Sequence, residues 1–171
     1  MTSIMLTRLF AVHSMLEVGN FQGPLNLTES RTHFGGWCIV SAPLILGMDI
    51  TDSANVDAVW PIISNKAAIE VNQAWAGHPG RLVQQDPQDQ HNSWQIWAKA
   101  MPDGGQAVFV VNRGTKTVNV SVSMASIGLG GSSAYSAKDI WTGTAFTVTT
   151  GTWAVSNLGA HDSAFARLSK Q

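Results

Sequence analysis

Two spacings of hydrophobic residues divide the chain. Up to Gln73, apolar residues recur at helical spacing or form short continuous runs, whereas beyond Gly80 they mostly alternate with polar residues. The first pattern indicates helices alternating with buried parallel strands, and a period of two indicates half-buried strands. The Gly-His-Pro-Gly break at residues 77–80 therefore predicts a change from an α/β segment to an all-β domain.

The α/β segment contains three predicted helical pieces. Thr28 is a suitable N-cap for a helix that presents Phe34, Trp37 and Cys38 on one face and ends near Ser41. Asp52 or Ser53 can cap the second helix, and the third spans residues 66–73.

Two buried strands are predicted in the same segment. Residues 6–18 carry enough apolar and β-branched residues for one strand, which Gly19-Asn20 closes. The apolar run at residues 44–48 predicts a central parallel strand that is covered on both faces.

The second half is typical of an antiparallel β-sandwich. Residues 107–111 are apolar throughout and predict a central strand, while Val118, Val120 and Val122 alternate with polar residues. Further strands are expected at residues 94–99, 138–141, 146–148 and 163–168. About seven short strands with turns every 8–12 residues indicate a sandwich.

Composition excludes several classes of function. The net charge of −1 provides no basic surface, so we expect no nucleic-acid partner. Apolar runs stay below the roughly 18 residues of a membrane span, so no membrane partner is expected. The start, residues 1–12, lacks a charged beginning and a small-residue cleavage site, which makes a signal peptide a poor interpretation and leaves the localisation unknown. Cys38 is the single cysteine, so no intrachain disulfide can form, and we expect a buried structural thiol.

Candidate chemistry is sparse. Glu17, Asp49 and Asp52 lie near predicted strand ends, but capping and surface roles are the usual use of carboxylates there. The five histidines are scattered without metal-ligand spacing, so we expect no metal and no cofactor.

Seven tryptophans raise the question of sugar stacking. Most of them lie on predicted core faces, where packing is the default role: Trp37, Trp60, Trp94, Trp97 and Trp141. Trp75 and Trp153 are less constrained, and an exposed stacking platform on the sandwich stays open.

Several separate motifs resemble the C-terminal part of glycoside hydrolase family 27, the α-galactosidases and α-N-acetylgalactosaminidases. The motifs are Met15–Asn20, Thr28–Phe34 with Trp37-Cys38, Ala42–Asp49, Ser64–Lys66, Val71–Gln73, Val110–Gly114, Lys138–Trp141 and Ala160-His161. The resemblance implies the last strands and helices of a (β/α)₈ TIM barrel followed by a Greek-key antiparallel β-sandwich. On that template residues 1–78 supply the end of the seventh strand, the seventh helix, the eighth strand and the eighth helix, and residues 79–171 form the sandwich.

The family hydrolyses terminal α-D-galactose with retention, using two aspartates. Both lie on earlier barrel strands, so the resemblance implies that this chain contains no catalytic residue and that its partner is an α-galactoside-containing carbohydrate. Relatives usually carry N-D-P-D-M-L where this chain has residues 11–16, so Met15 is the retained substrate-binding residue and Ser14 replaces a pocket carboxylate.

The resulting prediction is an α-galactosidase-like portion that is inactive by itself. Three alternatives stay open: a lectin-like carbohydrate-binding module, a structural subunit that completes a barrel supplied by another chain, and a truncated gene model of a full enzyme. Asn26 and Asn119 begin N-glycosylation sequons, which matter only if the chain enters a secretory route.

Overall fold

The computed structural model of the protein describes residues 15–20, 25–89, 93–130 and 134–171. Within these residues, three helices precede eight strands. The helices are α1 (Leu27–Ile39), α2 (Ser53–Ile63) and α3 (Lys66–Gln73). The strands are β1 (Arg81–Gln85), β2 (Trp94–Ala100), β3 (Gln106–Asn112), β4 (Val118–Ser123), β5 (Tyr135–Asp139), β6 (Ala145–Val148), β7 (Thr152–Leu158) and β8 (Ser163–Lys170).

The strands form two antiparallel sheets, which confirms the sandwich-like domain. The larger sheet has the strand order β1-β2-β3-β8-β5-β6, and the smaller one pairs β4 with β7. The helices cover one face of the larger sheet and the smaller sheet covers the other, so two hydrophobic cores lie on either side of it. Along β3, Phe109 belongs to the helical core, and its neighbours Val108 and Val110 belong to the core between the sheets.

Coverage of both faces changes the pattern of burial along β2. Gln95 and Lys99 occupy the polar positions of this strand, yet 9% of Gln95 and 0% of Lys99 is exposed. Both residues lie on the face that the helices cover, so the usual rule of one wet face per antiparallel sheet does not apply.

Several predicted elements are confirmed and two strands were missed. The helix at residues 66–73 and the central strand at 107–111 are present, and Val120 and Val122 face inward as their alternation predicted. Neither β1 nor β7 was predicted. The first is a mostly exposed polar edge strand, and the second is irregular opposite Val118–Val120, so neither shows clean alternation.

The cap of α1 differs from the prediction. Asn26 is the N-cap: its side chain accepts from the Glu29 N–H, and the Glu29 carboxylate accepts from the Asn26 N–H. Thr28 lies inside the helix, because the reciprocal capping box at Asn26 satisfies two backbone donors at once. Burial of the predicted face, Phe34 and Trp37 with Cys38, is confirmed.

The prediction that residues 44–48 form a central strand covered on both faces is wrong. Among the described residues, Leu46 makes a single parallel bridge to Leu16, and 57% of Ile45 and 37% of Leu46 is exposed. A parallel strand is buried on both faces only where neighbouring strands and crossover helices flank it. Residues 6–14 of the other predicted strand lie outside the described residues.

Specific contacts fix the helices on the sheet. Gly35 of α1 lies so close to the sheet that a Cβ there would stand 2.6 Å from Phe109 Cε2. Asn65, the N-cap of α3, donates to the Ile140 carbonyl over 3.0 Å. The Gly80 N–H donates to the Ile39 carbonyl at 2.9 Å, so the predicted break is held against the end of α1. No helix in the described part of the chain is long and apolar enough to cross a membrane.

Candidate functional site

The predicted site lies where the two parallel segments meet. The Leu16 N–H donates to the Ile45 carbonyl at 2.7 Å, and the Gly47 N–H donates to the Leu16 carbonyl at 3.0 Å. Gly47 permits this approach, because a Cβ there would lie 2.8 Å from Leu16 O. Met15 is 55% exposed at this edge, and Ser14 lies outside the described residues.

The carboxylates near this edge serve local structure. Asp49 Oδ1 accepts from both the backbone N–H and the hydroxyl of Thr51, and these bonds lower the pKa of Asp49. Asp52 caps α2 by accepting from the Asn55 N–H, which confirms one of the two predicted caps. A carboxylate that accepts hydrogen bonds from a turn or a helix end is held in one orientation by that backbone.

His33 holds the segment that carries Glu17. The Glu17 N–H donates to His33 Nε2 at 3.2 Å, and the imidazole stacks on Trp37 with ring centroids 4.5 Å apart. Burial lowers the pKa of His33 to about 4, and Glu17 opposes this shift. The imidazole is therefore neutral near pH 7, with its proton on Nδ1. This side chain therefore positions the backbone at Glu17.

A second tether holds the turn that follows. Gly19 has a φ of 74°, and its carbonyl accepts from Asn55 Nδ2 at 2.6 Å. A Cβ at Gly19 would lie 2.8 Å from the sulfur of Met48, so the turn is closely packed on the second parallel segment. Within the part of the chain that the structure describes, no three metal-ligating side chains cluster.

The tryptophans divide differently from the prediction. Trp37 is buried, whereas 58% of Trp60 is exposed, so its predicted core position is wrong. Val59 and Ile62 carry the buried face of α2 instead, which turns Trp60 outward. Trp75 is 60% exposed, and Trp153 packs against Phe146 at 5.7 Å between ring centroids.

The chain is similar to known glycosidases in sequence and in fold. Residues 91–168 match the family model described as the alpha galactosidase C-terminal beta sandwich domain. An α-galactosidase of Oryza sativa is 35% identical over 132 residues, which are 77% of this chain and 30% of the relative.

Two solved structures extend the match into the helices. A GH27 β-L-arabinopyranosidase from Geobacillus stearothermophilus has a TM-score of 0.77 and 25% identity over 92% of this chain and 36% of its own. The Saccharomyces cerevisiae α-galactosidase solved with raffinose has a TM-score of 0.75 and 20% identity over 92% of this chain and 46% of its own. In sequence and fold, this chain is similar to the C-terminal portion of α-galactosidases and of GH27 structures. It spans about a third of the length of the plant relative.

The structure contains a buried lysine, Lys99, that the pattern of residues did not indicate. Lys99 Nζ donates to Ser41 Oγ at 2.6 Å, to the Val71 carbonyl, and to the Asn72 carbonyl at 3.3 Å. The two carbonyls end α3, where the helix dipole favours a positive charge. Burial lowers the pKa of Lys99, and three acceptors occupy its three donors.

Asn72 and Ser41 complete the same network. Asn72 Nδ2 donates to the carbonyls of Trp37 and Ala42 at 3.3 and 2.8 Å, and Ser41 Oγ donates to the Asn72 carbonyl at 3.0 Å. Polar contacts thus join the ends of α1 and α3 to β2. Burial raises the pKa of the Cys38 thiol well above its usual range, so this neighbouring group stays protonated and unreactive.

Proposed function

We propose that these residues are the C-terminal portion of a retaining α-galactosidase-type glycoside hydrolase and do not hydrolyse α-galactosides by themselves. The observation that carries the proposal is the asymmetry of coverage: 92% of this chain matches the two glycosidase structures, but only 36% and 46% of theirs is matched. More than half of each of those structures therefore lies outside the match, and in the proposal the two catalytic acids belong to that unmatched part.

The roles of the local acids support the absence of catalytic residues. A retaining glycosidase needs two carboxyl groups about 5–5.5 Å apart across the anomeric carbon. Asp49 and Asp52 accept bonds that stabilise a turn and a helix end, and Glu17 lies on the segment that His33 holds. These contacts favour structural roles for all three.

The exposed parallel edge supports a structural contribution to a barrel. Four apolar residues on or next to the bridge are exposed: Met15, Ile45, Leu46 and Ile50. An exposed apolar strand edge of this kind is usually buried by another element or another chain. In the proposal, residues 1–78 are the last strands and helices of a TIM barrel, and residues 79–171 are a Greek-key sandwich. Ser14 and Met15 then line the sugar pocket, and a polypeptide that supplies the earlier barrel strands covers the edge.

The proposed substrate is a carbohydrate with a terminal α-D-galactosyl group. The yeast relative was solved with raffinose, which supports this class. The Geobacillus relative is named a β-L-arabinopyranosidase, so we expect the choice of sugar to rest on the earlier barrel strands.

A complementation experiment tests the proposal. This chain is co-expressed with the part of the Oryza sativa α-galactosidase that precedes the matched region, and complex formation and release of galactose from raffinose are measured. We expect a complex with α-galactosidase activity, and no complex with G47V, because a side chain at Gly47 would collide with Leu16 O. In the matched control G130V the complex should persist, because a Cβ added at this exposed turn would meet no atom closer than 3.5 Å. If the unaltered chain formed no complex and gave no activity, the proposal would be contradicted.

The exposed indole of Trp75 favours a second candidate, a carbohydrate-binding module. An indole that is 60% exposed offers a flat face of the kind that stacks on sugars. Titration with galactose or melibiose tests it: a saturable change in tryptophan fluorescence that W75A abolishes supports the module, and no change at millimolar sugar excludes it.

A further inference from the structure

The smaller sheet has an outer face that faces solvent and is uncharged. Val120 and Val122 of β4 point into the core between the sheets, so the residues that alternate with them point outward. Directly paired residues of β7 lie on the same face as their partners on β4. The outward set is Asn119, Ser121 and Ser123 of β4 with Thr152 and Ala154 of β7. None of these side chains carries a charge.

Both strands of this sheet also have an open edge. Within the described part of the chain, β4 and β7 pair only with each other, so each strand has a partner strand on one side alone. Natural proteins commonly protect open strand edges with charged side chains or with a covering group. Because the outward side chains of this sheet are uncharged, protection of the first kind is missing from this face.

Asn119 uses only one end of its carboxamide in the fold. Its Oδ1 accepts from the Asn157 N–H at 2.8 Å, where the pairing of the two strands is irregular and Asn157 has a φ of 56°. Among the described residues, Asn119 Nδ2 has no hydrogen-bond partner. The residue is exposed, so the bond to Asn157 fixes the carboxamide with its nitrogen on the free side.

The acceptor role alone does not require asparagine at this position. Aspartate offers the same Oδ1 without a donor that has no partner, so the amide nitrogen is the part of Asn119 that the fold leaves unused. Asn119-Val120-Ser121 is an N-glycosylation sequon. Its first and third residues lie on one face, since strand residues two apart share a face, and both are exposed. The sequon thus presents its amide and its hydroxyl together.

We propose that Asn119 is an N-glycosylation site and that its glycan covers the outer face of the smaller sheet. An oligosaccharyltransferase would join Nδ2 to the anomeric carbon of a lipid-pyrophosphate-linked oligosaccharide. The bond between that carbon and the pyrophosphate oxygen breaks, the lipid pyrophosphate leaves, and the amide gives up one of its two protons. Oδ1 is not consumed, so its bond to the Asn157 N–H is retained. A glycan is bulky and solubilising, and this role is independent of the proposed function.

Translation into microsomes tests the assignment. The full 171-residue chain follows a cleavable secretion leader and carries N26D, which removes the other sequon and keeps an acceptor at the cap of α1. Mass spectrometry is performed before and after treatment with peptide N-glycosidase. We expect one glycan at Asn119, which the enzyme releases with conversion of that residue to aspartate.

Three variants in the same background test the dependence on the sequon. N119D keeps the Oδ1 acceptor but has no amide nitrogen, and S121A removes the sequon hydroxyl, so neither should carry a glycan. The matched control S123A changes a serine of the same face outside the sequon and should be modified like its parent. A parent chain whose leader is cleaved and which carries no glycan, or a glycan that persists in N119D, would overturn the proposal.

A second measurement tests the position of the glycan on the folded sheet. The glycosylated chain and the unmodified S121A chain are compared by urea denaturation and by light scattering during heating. Because Nδ2 has no partner to lose, we expect equal urea midpoints, and we expect slower aggregation of the glycosylated chain because its sheet is covered. A lower midpoint of the glycosylated chain would show that the sugar disturbs the sheet. Equal rates of aggregation would show that the glycan does not cover it.

Discussion

At the scale of single residues, two buried ionisable side chains join the helices to their surroundings. Lys99 is 0% exposed and supplies donors to the end of α3, while His33 supplies an acceptor to the Glu17 N–H. Each side chain satisfies backbone groups that the local elements leave without partners. Removing either should therefore destabilise the fold through an orphaned backbone group.

For Lys99 the test is substitution by methionine, which keeps the length of the side chain. The Val71 carbonyl loses its donor from Lys99, and we expect the free energy of unfolding to fall by about 2 kcal/mol. Urea denaturation measures this, with K116M at an exposed position as the control. Unchanged or increased stability of K99M would show that burying the ammonium outweighs its hydrogen bonds.

For His33 the test is the pH dependence of stability. The pKa of about 4 in the fold lies below the ordinary 6.5, so between these values the unfolded chain binds the extra proton. The contribution of the neutral His33 imidazole to the free energy of unfolding is fully present above pH 6.5. It is lost as the pH falls toward 4, and the loss amounts to at most about 3 kcal/mol. H33Q should flatten this part of the curve of unfolding free energy against pH, and H78Q, at an exposed histidine, should not. Parallel curves for H33Q and the unaltered chain would contradict the assignment.

At the scale of elements, α1 is the helix on which the packing depends. It contacts α2, α3 and the strands β2, β3 and β8, and its capping box and Gly35 fix where it begins and how closely it approaches the sheet. Thr32 adds hydrogen bonds to His161 O at 2.8 Å and Ser163 Oγ at 3.0 Å. These contacts tie the helix to the start of β8.

The cap is tested by N26A. Loss of the side-chain acceptor for the Glu29 N–H should reduce the free energy of unfolding by about 1 kcal/mol. T28A is the matched control, since Thr28 lies within the helix, and it should change stability by less than about 0.5 kcal/mol. Chemical denaturation of protein made in a bacterial host measures both, because this host leaves the sequon at Asn26 unmodified. A larger loss of stability in T28A than in N26A would show that Thr28, and not Asn26, is the N-cap.

The close approach of α1 is tested by G35A. The added methyl group would stand 2.6 Å from Phe109 Cε2 and 3.1 Å from Trp141 Cζ2, so the helix must shift, and we expect a loss of about 2 kcal/mol. G130A, whose Cβ would meet no atom closer than 3.5 Å, should be nearly neutral. Thermal unfolding followed by near-ultraviolet circular dichroism reports both. Equal stability of the two variants would contradict the contact.

At the scale of the whole molecule, periodicity predicted the division into helices and sheets but not how the layers stack. Val118, Val120 and Val122 alternate because one face of β4 is wet, and their positions could be read directly. Gln95 and Lys99 also alternate, yet they are buried, since a sequence period cannot show that helices cover the second face.

At the parallel edge, the hydrophobic pattern predicted more burial than the structure has. Residues 44–48 are as apolar as a central strand requires, and that pattern predicted burial that Ile45 and Leu46 do not have here. Burial of a parallel strand depends on neighbours far away in sequence. The family resemblance supplied the assignment of Ser14 and Met15, which stays a prediction.

The most direct test is a hydrolysis assay on the isolated chain. The purified 171-residue protein is incubated with a chromogenic α-galactoside, and release of the chromophore is compared with buffer and with the triple variant E17Q/D49N/D52N. The account predicts the same background rate in all three samples. Turnover above background that disappears in the triple variant would contradict it, because these residues would then hold a catalytic acid of their own.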